Sequence, residues 1–147
     1  MAARFVYRMR QYTRDGSFRG DDYCMDPAFR LVLIDDDPDL RKLIALALSF
    51  SAGWDVTTAA GGVEGIEEVR RIKPDAVVVD IMMPEVDGYE VCRRLKADPE
   101  TAAIPVVFLT ARTQIDKAQI QELGAAGVII KPFETDTIAE RILELCR

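Results

Sequence analysis

From Leu31 onward, short apolar runs alternate with longer stretches in which apolar residues recur at three- and four-residue intervals. The runs lie at 31–34, 54–58, 76–79, 105–109 and 128–130, and such short runs bounded by turn residues predict strands. The intervening stretches predict helices, each with one apolar face. The first carries Leu40, Leu43, Ile44, Ala47 and Leu48, and the second Val63, Ile66, Val69 and Ile72. The third carries Val91, Cys92 and Leu95, and the last Ile138, Ile142 and Leu145. The fourth, over roughly 115–123, has only Ile115, Ile120 and Leu123 scattered among glutamines, so it is the least firmly anchored element. Asp37 before Pro38 suits a helix start, and Gly53, Pro74 and Asp98-Pro99 are stop signals.

Strand and helix alternating five times predict an α/β domain, a doubly wound five-stranded parallel sheet with helices on both faces. Polarity orders the strands. The alternating run 54–58 suits a sheet edge, whereas Ala76, Val77, Val78 and Val79 read as a strand buried on both faces. This fits the flavodoxin-like order 2-1-3-4-5, with five helices and a ligand crevice at the carboxyl ends of the first and third strands.

The chemically distinctive residues stand at those ends. Asp35 and Asp36 follow the first strand, Asp80 the third, Thr110 the fourth and Lys131 the fifth. Asp80 alone reads equally as a turn-capping carboxylate. Together, however, the three carboxylates repel, by up to about 4 kcal/mol for a close pair at an effective dielectric of ~20. A divalent cation relieves that repulsion, and an all-oxygen site with few protein ligands suits Mg²⁺. With Lys131 counted, such a pocket is neutral and can receive a phosphoryl group: cations stabilise its oxygens, Thr110 donates a hydrogen bond and a carboxylate serves as nucleophile.

Composition narrows the chemistry. The chain has no histidine, which excludes a Ser-His-Asp triad, imidazole metal ligands and a phosphohistidine of its own. A net charge of −6 argues against direct nucleic-acid binding. Cys24, Cys92 and Cys146 have no metal-site or disulfide-framework spacing and fit a reducing cytoplasm. No apolar run reaches the length of a membrane span, and the N-terminus lacks a signal-peptide core. The expectation is a cytoplasmic protein with no membrane insertion. Residues 1–29 mix five arginines with four aspartates without apolar periodicity, and read as a flexible tail ahead of a domain at 30–147; a basic docking arm and translation from Met25 are the alternatives.

The segments LVLIDDDPDLRKLI, VVVDIMMPEVDGYEV, PVVFLTA and IIKPF, in that order, resemble the motifs of response-regulator receiver domains over about residues 30–147. The resemblance implies that Asp80 is the phosphoacceptor, Asp36 the direct Mg²⁺ ligand with Asp35 supporting it, and Met82 a backbone-carbonyl ligand. Thr110 and Lys131 match the switch hydroxyl and the phosphate-binding lysine, and a cis bond is implied before Pro132. The implied function is that of a single-domain, chemotaxis-type member of a two-component phosphorelay. It would be charged by a histidine kinase or histidine phosphotransfer protein, and would signal to a downstream protein through the fourth helix, fifth strand and fifth helix.

Such a switch is not an enzyme beyond its own phosphoryl transfer and dephosphorylation. Val128 departs from the family's usual aromatic at that position, so the readout is expected to differ. No helix shows an apolar stripe surplus to the core, which leaves a monomer or weak dimer. The rival reading, a haloacid-dehalogenase-type phosphatase, requires a general acid two residues after the nucleophile, and Met82 cannot transfer a proton.

Overall fold

The computed structural model describes residues 29–111 and 114–146; the tail at 1–28, with Cys24 and Met25, lies outside the described residues. In chain order the elements are β1 (Arg30–Ile34), α1 (Pro38–Ala52), β2 (Asp55–Ala59), α2 (Gly62–Ile72), β3 (Ala76–Asp80), α3 (Gly88–Ala97), β4 (Val106–Thr110), α4 (Lys117–Glu122), β5 (Gly127–Ile130) and α5 (Ile138–Cys146). The five strands form one parallel sheet in the order β2-β1-β3-β4-β5, as the polarity pattern predicts. β3 and β4 are buried throughout, and β2 is largely open at its edge.

Alternate strand residues feed two cores. Val32, Val77, Val79, Val106 and Phe108 face α2, α3 and α4, whereas Leu31, Leu33, Val78, Val107 and Leu109 face α1 and α5. Aspartates cap three of the helix starts. Asp37 accepts from the amides of Asp39 and Leu40 with Pro38 in the first turn, and Asp87 accepts from Glu90. Gly53, at φ 66°, ends α1 in the left-handed region that glycine tolerates best. A side chain at Gly65 would start 2.3 Å from Ile34, so glycine lets α2 lie directly on β1.

Four expectations are corrected. Trp54 precedes β2 and packs with its ring centroid 4.4 Å from that of Phe29. α4 starts at Lys117, because Asp116 caps it by accepting from Ala118 and Gln119, which leaves Ile115 ahead of the helix. Two apolar stripes are also less buried than their spacing implies. Val63 is 51% exposed, since residues three apart drift by about 60° per step around a helix and the ends of the stripe diverge. In α1, Ile44 and Leu48 enter the core while Leu43, Leu46 and Phe50 line a second face, with Phe50 85% exposed. That stripe is surplus to the core, contrary to expectation.

Among the described residues no helix is long and apolar enough to cross a membrane.

Candidate functional site

The pocket forms where β1 and β3, neighbours in the sheet, release their chains into loops that diverge towards opposite faces. Asp35 directly follows β1 and is fully buried, and its Oδ1 accepts from the amide of Asp37 at 2.9 Å. Its carbonyl oxygen accepts from the Arg41 guanidinium at 2.7 Å, a contact one turn into α1 that no motif announces. Asp36 is exposed at the mouth. Asp80 ends β3, nearly buried, with Oδ1 accepting from the Met82 amide at 3.0 Å. Each of Asp35, Asp36 and Asp80 offers a carboxylate oxygen within 4.8 Å of the others.

Lys131 reaches this cluster from the end of β5. Its Nζ donates to Asp80 Oδ2 at 3.1 Å and to Asp35 Oδ2 at 3.4 Å, and its amide donates to the Thr110 carbonyl at 2.7 Å. The peptide bond between Lys131 and Pro132 is cis. Thr110, fully buried, closes β4 beside Asp80, whose register partner is Leu109. Sequence reasoning therefore named four groups that converge here, namely Asp35, Asp36, Asp80 and Lys131, with Thr110 on the adjoining strand end. Met82 is 58% exposed, and its amide donates to the Asp80 carboxylate.

Burial pushes the Asp35 carboxyl above its ordinary value, and the Asp80 charge adds to this; the Asp37 amide and Lys131 act in the opposite sense without cancelling it. Burial alone would lower Lys131, but the hydrogen bond to Asp80 and the charges of both aspartates outweigh it and hold the ammonium above the usual lysine value. The two shifts are compatible: the lysine gains two anionic partners, whereas the aspartate shares one cation and loses water on every side. Away from the pocket, burial also raises the Cys92 thiol, whose Sγ sits 3.6 Å from the Leu123 carbonyl in a core role.

The loop after Asp80 is held closely. The Gly88 amide donates to the Ile81 carbonyl at 3.0 Å, and a side chain at Gly88 would start 2.5 Å from the Asp80 carbonyl oxygen. Glycine is required there by backbone approach.

A parallel α/β sheet whose switch point gathers three carboxylates and a lysine defines a class of oxygen-rich acidic sites suited to a divalent cation. The family of response regulator receiver domains matches residues 31–143, and the chain belongs to it, as a receiver domain of two-component signalling. It is 41% identical over 119 residues to the DNA-binding dual master transcriptional regulator RpaA of Synechocystis, a match covering 80% of this chain and 49% of that protein. The chain thus spans about half the length of the curated relatives it matches. Its structure is similar to chemotaxis protein CheY4 of Vibrio cholerae, with TM-score 0.75 and 25% identity, covering 80% of this chain and 98% of that one. It is also similar to the receiver domain of a signal transduction histidine kinase from Syntrophus aciditrophicus, with TM-score 0.70 and 29% identity, covering 81% and 90%.

Receiver domains bind Mg²⁺ at this acidic pocket, and the donor set here fits. All three candidate ligands are hard carboxylate oxygens, and one lysine leaves two negative charges for a divalent cation.

Proposed function

We propose that the chain is a phosphoryl-accepting switch in which Asp80 is the nucleophile and a phosphohistidine of a histidine kinase or phosphotransfer protein is the donor. A carboxylate oxygen of Asp80 attacks phosphorus, the P–N bond to the donor imidazole breaks, and its electron pair leaves with the nitrogen. The product is an aspartyl phosphate. Lys131 already contacts Asp80, so its ammonium is placed to accompany the transferred oxygens, and the Met82 amide holds the carboxylate in orientation. Asp36 and Asp35, with Asp80, would hold Mg²⁺, and the Met82 carbonyl is carried over as a further ligand from the family resemblance. When bound, the ion supplies positive charge to the phosphoryl oxygens. Thr110 donates to the phosphoryl group once it is attached. The signal passes to a downstream protein at the surface of α4, β5 and α5. The reaction is confined to the protein's own aspartate, and the free Cys92 and Cys146 thiols suit a cytoplasmic setting.

The observation that carries this reading is Lys131 bridging Asp80 and Asp35 at the end of the central strand. Met82, two residues after Asp80, has no proton to transfer, which counts against the phosphatase reading. Acetyl phosphate with Mg²⁺, followed by intact mass, tests it: about 80 Da is gained for one phosphoryl group, and Asp80→Asn abolishes the gain. Labelling that persists in the variant overturns the assignment.

A further inference from the structure

We infer that Tyr89 is a positioning residue that couples the acceptor aspartate to the surface around α4, an inference that rests on Asp80 as the acceptor. Tyr89 stands at the junction of two structures that the pocket controls. On one side it follows Gly88, whose Cα lies so close to the Asp80 carbonyl that no side chain fits and whose amide is bonded to Ile81. Displacement of the Asp80 loop is therefore transmitted to the first turn of α3 with little slack. On the other side, the Tyr89 ring meets Phe108 edge-on, with centroids 5.4 Å apart and planes at 76°.

Phe108 is fully buried in β4, between Val79 of β3 and Val128 of β5. It precedes Thr110 by two residues and so shares its face of the sheet. Tyr89, Val128 and Ile115 are all half-buried against the core that contains Phe108. Val128 and Ile115 have no ring, so among the described residues Tyr89 is the one partly exposed aromatic in that core. α4, immediately beyond Ile115, has Ile120 as its buried anchor. A shift of the Thr110 end of β4 alters the ring's seat on Phe108, and Ile115, packed against the same core, leads directly into the weakly anchored α4 segment. An aromatic seated edge-on has a defined orientation to lose, which an aliphatic at the same place does not.

The test labels the full chain with 3-fluorotyrosine and records fluorine spectra before and after Mg²⁺ and beryllofluoride, a phosphoryl mimic. The chain has four tyrosines, Tyr7, Tyr12, Tyr23 and Tyr89, and Tyr89→Phe identifies the fourth resonance by its loss. The expected result is a shift of the Tyr89 resonance upon loading that Thr110→Ala removes. Hydrogen exchange gives a readout that packing alone would not move: Tyr89→Phe keeps the loading-dependent change in 114–123, whereas Tyr89→Leu, which fills the site without an aromatic ring, loses it. A Tyr89 resonance that stays in place while bound beryllofluoride gives its own signal overturns the inference and leaves the acceptor reading intact. A full exchange response in Tyr89→Leu also overturns it. If no bound beryllofluoride signal arises, the acceptor reading fails and the inference falls with it.

Discussion

The ammonium of Lys131 donates to Asp80 at 3.1 Å and to the fully buried Asp35 at 3.4 Å, so one cation serves two carboxylates from different strands. Breaking this bridge leaves Asp35 buried with less compensation. A carboxyl whose folded value is raised contributes its full stability below the unfolded value, near ~3.9, and loses it as pH rises through the folded value. Lys131 limits that loss. Its own value is also raised, so its contribution is present below the ordinary lysine value of about 10.4 and is lost only above it. Lys131→Ala is therefore expected to cost about 1–3 kcal/mol near neutrality and less in mild acid, because the raised Asp35 carboxyl takes up its proton more readily than a free aspartate. Urea melts of the metal-free proteins at about pH 7.5 and about pH 4.5 check this; a deficit equal at both values removes Asp35 from the explanation.

Asp36 differs from its two neighbours in being exposed and outside the lysine bridge. In the metal-free protein it adds repulsion to Asp35 and Asp80, softened by water. Asp36→Asn is expected to stabilise the protein in EDTA by up to about 1 kcal/mol, while reducing the rise in melting temperature that millimolar Mg²⁺ produces. Thermal melts with and without the ion decide the matter, and a variant less stable than the parent in EDTA makes Asp36 a structural residue.

What was legible in the sequence is what depends on period and position along a strand. Continuous burial of Val77, Val78 and Val79 placed β3 inside the sheet, and parallel topology then carried Asp35, Asp80 and Lys131 to one end. What was not legible depends on distances between segments. Arg41 reaches the Asp35 carbonyl because α1 starts where Asp37 caps it, and Leu46 and Phe50 remain outside because Ile44 and Leu48 already fill the space over β1. The closeness of Gly88 to Asp80 is likewise a property of the folded loop, although its place after Asp87 marks a turn.

Gly88 yields a prediction that separates space from conformation. Its added side chain would meet backbone atoms, the Asp80 carbonyl oxygen at 2.5 Å and the Ile81 Cα at 2.8 Å, which cannot rotate away. At Gly124 the obstacle is instead a φ of 73°, since an added side chain would meet only the flexible Lys96 chain at an ordinary 3.9 Å. Gly88→Ala is expected to destabilise by on the order of 1–3 kcal/mol and to slow Asp80 phosphorylation, because the loop must shift. Gly124→Ala is expected to cost about 1 kcal/mol with phosphorylation unchanged. Denaturant melts paired with acetyl phosphate labelling rates check both, and normal labelling in Gly88→Ala would show that the loop position does not matter to the acceptor.

Thr110 ends β4 in full burial, and the segment after it leads to α4, a helix of six residues with Ile120 as its buried anchor. A hydrogen bond from Thr110 to a phosphoryl oxygen, charge-assisted and worth roughly 1.5–3 kcal/mol, is comparable with the local opening free energy of so short an element. Val128 in β5 offers neither ring nor hydroxyl to move between buried and exposed sites, so on the proposed reading the response is expected in the chain after β4. Phosphorylation is thus expected to change exchange protection in 114–123 by about 10- to 100-fold, the factor to which that energy corresponds. Thr110→Ala should keep the mass increase at Asp80 and lose this change. Hydrogen exchange followed by mass spectrometry measures both on one sample. A change confined to Val128 and α5, with 114–123 unaltered, would show that β5 rather than the α4 segment carries the response.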